Sequence, residues 1–182
     1  MALISPKPVS AYPWWVRLFF SKQKYTYGQV LDPGLLWARS PKVFAPVALL
    51  YGALNRASSP LSPALRSLVT VRISQINHCA FCVDINSAML EKRGVALEKI
   101  AALNLWQESP LFDAGEKLAL RYAEAMTVTS PGVTEDLRAA LKQRWDDDTI
   151  VELTGLIAFQ NLSSKFNAAL DVPSQGFCTR PV

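Results

Sequence analysis

The sequence predicts an all-α protein folded as a single domain over residues 1–182, and three observations carry that prediction. Asp32-Pro33, Ser40-Pro41 and Ser62-Pro63 each place a capping side chain before a proline, whose missing N–H costs nothing in a first helical turn. Further along, Asp113, Thr134 and an acidic run at residues 146–148 each stand before apolar positions at helical spacing, where side chains that suit a helix start belong. No stretch alternates apolar and polar residues in a way that rivals these signals. With 182 residues, half of them hydrophobic, the chain is long enough to bury a sizeable core and too apolar for a disordered protein.

Residues 1–60 form an N-terminal extension with the first helices. Seven cations (Lys7, Arg17, Lys22, Lys24, Arg39, Lys42, Arg56) face Asp32 alone, giving +6, while the remaining 122 residues carry 12 basic and 14 acidic side chains, giving −2. Trp14, Trp15, Phe19, Phe20, Tyr25 and Tyr27 accompany this charge. The segment is expected to pack on its own fold or on a neighbouring subunit, with a membrane surface or an acidic partner as the less favoured occupant. Pro41 to about Asn55 reads as a core helix presenting Val43, Val47, Leu50 and Leu54, with Pro46 expected to bend or shorten it. Pro63 to about Gln75 repeats Leu65, Leu68, Val69 and Ile73 and leaves Arg66 and Arg72 on another side.

Residues 61–130 hold the chemically informative stretch. The segment "VDINSAMLEKRG" places Ile85, Met89 and Leu90 on one side and ends in Lys92, Arg93 and Gly94, cations and a glycine suited to a helix C-terminus. Asp113 with Glu116 makes a capping box for a helix running to Met126. Residues 131–182 supply the C-terminal helices: an amphipathic one after Thr134, then a long one from about Asp147 to Leu170 whose nearly all-apolar "LTGLIAF" should be central and buried.

Between these helices lies "HCAFCVDIN", residues 78–86, with two of the three cysteines and the only histidine. In a helix beginning near Asn77 or His78, Cys79 and Cys82 share one face of the first turn, close enough to close a disulfide. Free N–H groups and the macrodipole there favour a thiolate, most strongly at Cys79. By the same geometry His78, Cys82 and Asn86 form a column in which His78 takes the Cys82 proton and Asn86 orients a water or a peroxide, while Asp84 is read as a solvated surface carboxylate. The bland alternative for His78 is a cap residue without chemistry. A zinc site from His78, Cys79, Cys82 and the distant Cys178 is disfavoured because adjacent ligands have difficulty pointing at one ion and no second close pair exists. Cys178, in a loop-like tail, reads as an unpaired small residue.

The stretch "LRSLVTVRISQINHCAFCVDINSAMLEKRGV", with the later "EKLALRYAEAMT", resembles the core of the carboxymuconolactone decarboxylase superfamily, especially the AhpD-like alkylhydroperoxidases, over about residues 60–130. The resemblance implies an all-helical fold, assembly into homotrimers or hexamers, and no tightly bound cofactor. It assigns Cys82 as the peroxide-attacking thiol and Cys79 as the resolving one, with an external dithiol such as a lipoyl group as electron donor. Related enzymes also use a glutamate twelve residues before the first cysteine and a histidine four after the second. Those positions are Ser67 and Asn86 here, and neither side chain moves a proton near neutral pH, so the usual relay is absent.

The leading expectation is therefore a thiol-dependent oxidoreductase reducing hydroperoxides or exchanging disulfides. A lactone decarboxylase-like lyase whose cysteines merely pack, and a binding or assembly protein of the same fold, are the alternatives. No apolar run is long enough for a membrane span and no signal-peptide order opens the chain, so a cytoplasmic protein is expected, without nucleic acid as a partner.

Overall fold

The computed structural model describes residues 2–178, and among them the regular structure is entirely helical. In chain order the helices are α1 (Trp14–Tyr27), α2 (Asp32–Trp37), α3 (Pro41–Leu54), α4 (Pro63–Ile76), α5 (Ala80–Lys92), α6 (Leu97–Ala101), α7 (Ala114–Thr127), α8 (Glu135–Arg144) and α9 (Asp147–Ala169). Short 3₁₀ turns lie at Val9–Ala11 and Ala102–Leu105. None of these helices is long and apolar enough to cross a membrane.

The helix starts follow capping chemistry. Ser62 accepts the N–H of Leu65, Asp113 and Glu116 form the reciprocal box, Thr134 accepts from Leu137 and Asp146 from Thr149. Two proline-headed starts differ from expectation: Ser40 makes no side-chain cap bond, and Asp32 is the first residue of α2 behind Leu31. The helix α3 runs through Pro46, which deprives only one carbonyl, a turn earlier, of its partner. It is also rolled from its expected orientation, with Phe44 and Leu54 inward and Val43 and Leu50 exposed.

The centre of the molecule is α4, packed against α5, α7 and α9. Leu68, Val69, Val71 and Ile73 point in several directions around it and are all fully buried, so α4 has no solvent face at mid-length. That corrects the expectation for its arginines. Arg66 is only 4% exposed and donates to the carbonyls of Leu54 and Arg56, while Arg72 is mostly buried against Glu124 at 2.6 Å. Buried cations require such partners because an uncompensated charge in a core is costly.

The long helix α9 is central on one face only. Leu153, Leu156, Ile157 and Phe159 are buried, whereas Val151 and Leu162 are exposed. Its Gln160, Ser164 and Asn167, at i, i+4 and i+7, form a polar seam. Gln160 donates to Ser74, and Ser164 accepts from Asn77. This seam fixes the corner where α4 gives way to α5. The N-terminal extension packs on itself, with Val16 and Phe20 of α1 buried among Tyr12, Ala38 and Phe44, and meets α9 where Trp37 stacks on Phe166.

Candidate functional site

The corner begins with a Schellman ending. Past the last turn of α4, His78 adopts φ 53°, its N–H reaches Gln75 O at 3.1 Å and the N–H of Cys79 reaches Ser74 O at 3.0 Å. The left-handed residue stops one helix and turns the chain into the next. Cys79 thus becomes the N-cap of α5, and Cys82 lies in its first turn. Their sulfurs are joined in a disulfide, with Cα atoms 5.2 Å apart. The Cys79 sulfur also accepts the N–H of Cys82 at 3.2 Å, taking the place of the oxygen of an ordinary cap.

Both cysteines are buried, at 1% and 3% exposure, yet their surroundings differ. Cys82 lines a cavity of about 440 Å³ and Cys79 does not. A second group reaches the same sulfur from α9: Asn167 Nδ2 donates to Cys82 Sγ at 3.3 Å. The cavity lies between α1, α2 and α3 on one side and α5 and α9 on the other, with Phe19, Trp37, Phe44, Phe81 and Phe159 among its apolar walls. Among the described residues its polar lining is almost wholly neutral, made by amides, hydroxyls and phenols, with Lys22 as the one charged side chain. The Tyr51 side chain is half exposed at the cavity edge, and desolvation, then the neighbouring Tyr27, pushes its phenol above its ordinary range.

The structure brings together Cys79, Cys82 and Asn86 and leaves His78 and Ser67 apart. Asn86 lines the cavity one turn beyond Cys82 and donates its amide to the Cys82 carbonyl at 2.8 Å. His78 lies outside the helix in a left-handed residue, exposed, so the column expected from residue 78 does not form. Ser67 is buried on α4, where its hydroxyl accepts from the guanidinium of Arg93 at the other end of α5.

Asp84 is a correction. Rather than a solvated carboxylate, it is 8% exposed and accepts the N–H groups of Gln175 at 2.8 Å and Cys178 at 2.6 Å. It pins the C-terminal segment as a strap beside the cysteine pair, where Phe177 meets Phe81 and Tyr27 edge-on. Gln175 joins the strap to the entry of α2 through the N–H of Asp32 and the carbonyl of Val30. Asn167 and this strap carry no local sequence signal, because their partners lie 85 to 145 residues away.

A helical bundle with a Cys-x-x-Cys at the head of a buried helix, one sulfur facing an aromatic cavity, is an AhpD-like arrangement. Residues 41–125 match the carboxymuconolactone decarboxylase family, and the chain belongs to it. The uncharacterized protein YnjA of Escherichia coli is 47% identical over 155 residues, 85% of each chain. In three dimensions the alkylhydroperoxidase AhpD core of an uncharacterized peroxidase-related protein from Ralstonia eutropha superimposes with TM-score 0.86 at 20% identity, covering 97% of this chain and 94% of that one. The debrominase Bmp8 superimposes with TM-score 0.83 at 19% identity, covering 96% and 93%. A cysteine-to-alanine variant of that debrominase is known in complex with 2,3,4-tribromopyrrole.

Proposed function

We propose that this protein is a thiol-dependent oxidoreductase that reduces organic hydroperoxides through Cys82 and Cys79. The observation carrying the reading is the asymmetry of the pair: Cys82 faces the cavity while Cys79 is bonded behind it. In the reduced protein the Cys82 thiolate attacks the distal oxygen of the hydroperoxide. The O–O bond breaks, the departing alkoxide takes the proton that Cys82 released on ionising, and Cys82 becomes a sulfenic acid. Cys79 then attacks the Cys82 sulfur; the hydroxyl leaves with the Cys79 proton as water, and the disulfide forms. An external dithiol restores both thiols and leaves as its own disulfide.

Helix electrostatics alone favour Cys79 as the more acidic thiol, but reactivity also requires access. The Asn167 amide gives Cys82 its own stabilising donor, and the cavity gives it the substrate. Asn86 supplies a hydrogen bond and no proton, so the proton balance rests on the thiols and solvent.

A second reading is favoured by the aromatic walls. The same dithiol removes bromine from a halogenated ring: Cys82 takes the halogen, the ring carbon gains a proton, and Cys79 displaces bromide to form the disulfide. Turnover of cumene hydroperoxide and of a bromopyrrole with dihydrolipoamide separates the two. The first reading expects hydroperoxide loss that Cys82→Ser abolishes, and a Cys79→Ser variant arrested as a sulfenic acid that dimedone labels. Hydroperoxide turnover unchanged in Cys82→Ser contradicts it.

A further inference from the structure

The face of α5 that carries Cys82 continues through Asn86 and Met89 to Arg93, eleven residues and about 16 Å of helix rise away. Along it the large cavity adjoins a chamber of about 40 Å³, and Tyr51, Asn86, Met89, Phe159 and Gln160 border both. The chamber differs in charge from its neighbour, since Arg66 and Arg93 line it. Among the described residues no carboxylate lines either space. Arg66 is 4% exposed, and its buried Nε has no hydrogen-bond partner.

The structural duties of these cations do not exhaust them. A single nitrogen of Arg66, Nη1, serves both carbonyls at the end of α3, and a single nitrogen of Arg93 serves Pro63 O and Ser67. The nearby carboxylate, Glu152, is held through both oxygens by Arg56. Burial, then the Arg93 and Arg56 charges, lowers the Arg66 pKa from its ordinary value, and the Glu152 carboxylate offsets this only in part. Two guanidinium groups lining a space that holds no carboxylate favour an anion beside them.

We infer that the small chamber is an anion subsite that receives the carboxylate of the substrate, whose apolar body fills the aromatic cavity and whose reducible bond lies against Cys82. The substrate class is an amphipathic organic acid with its oxidised group remote from the carboxylate. A volume of about 40 Å³ holds a group of a few heavy atoms, the size of a carboxylate. This assignment of substrate class rests on the reading of Cys82 as the reacting sulfur. The test uses chains with no reducible bond, so its outcome is independent of turnover.

Isothermal titration of the full-length oxidised protein with dodecanoate, dodecanol and dodecyl phosphate measures the head-group preference. Dodecanoate is expected to bind about tenfold or more tightly than dodecanol, since a charge-assisted bond to a desolvated guanidinium is strong. Arg93→Met, which spares the α3 cap, and Arg66→Met, which does not, should each reduce that preference to about threefold or less. Equal binding of acid and alcohol by the unaltered protein, or a preference unchanged in a folded Arg93→Met variant, overturns the subsite. Tighter binding of dodecyl phosphate than of dodecanoate overturns the carboxylate assignment.

Discussion

The side-chain amide of Asn167 reaches Cys82 Sγ at 3.3 Å from the last turns of α9, and a donor aimed at sulfur favours the thiolate over the thiol. Replacing it by leucine removes the bond to the charged form, so the Cys82 pKa should rise. In the reduced protein the pH profile of iodoacetamide labelling at Cys82 should then move to higher pH, with the labelling of Cys178 unmoved; an unmoved Cys82 profile would remove Asn167 from the site. Asn86 offers a complementary change. It lines the cavity one turn beyond Cys82, so Asn86→His places an imidazole where it can exchange a proton with substrate, and hydroperoxide turnover should rise by about tenfold or more. The companion change Ser67→Glu, suggested by the family pattern, would set a carboxylate against Arg93 and add little at Cys82. The cysteine pair and Asn86 were legible in the chain because their relation is local, i to i+3 and i+4. Asn167, the buried state of Arg66 and the partners of Asp84 were not, since each depends on how separate segments of the chain pack together.

At the scale of elements, the α4–α5 corner and the end of α9 share one device. His78 and Asp171 both adopt positive φ at Schellman endings, with Asp171 N–H on Ala168 O and Val172 N–H on Asn167 O. Gly94 closes α5 the same way without side-chain strain, and it was readable from sequence as a helix stop. His78 gave no such signal, because a histidine in the left-handed region costs about 1–2 kcal/mol relative to glycine. The sequence therefore suggested a helix beginning near Asn77 or His78, where the structure has a turn and the helix starts at Ala80. His78→Gly should stabilise the oxidised protein by about 1 kcal/mol in urea unfolding with an unchanged m-value, and should leave hydroperoxide turnover intact. Loss of turnover would instead make His78 a working base. Asp84 tests the strap. Asp84→Ala strands the N–H groups of Gln175 and Cys178, so amide exchange at those two positions should accelerate, at a stability cost of about 1–3 kcal/mol. Unchanged exchange would show that Gln175 and Phe177 hold the strap without it.

For the whole molecule, the chain exposes 9893 Å² of surface, against about 8,700 Å² expected of a compact monomer of its mass. Trp14 and Leu18 of α1, Leu49 and Leu50 of α3, and Val151 and Leu162 of α9 supply exposed apolar side chains. Light scattering is expected to give a multiple of the 20.1 kDa chain, reduced by Leu49→Arg; a monodisperse monomer would contradict that expectation. The basic aromatic extension was legible as something that packs, but its part in lining the cavity was not, since no local pattern relates α1 to α5. We propose that Cys79 and Cys82 carry two electrons to a substrate held in that cavity. The most direct measurement of this transfer is a thiol count and peptide mass on reduced protein given one equivalent of cumene hydroperoxide. The account predicts loss of two thiols, a loss of two hydrogens on the peptide that contains Cys79 and Cys82, and an unaltered Cys178; three persisting thiols, or a linkage to Cys178, would contradict it.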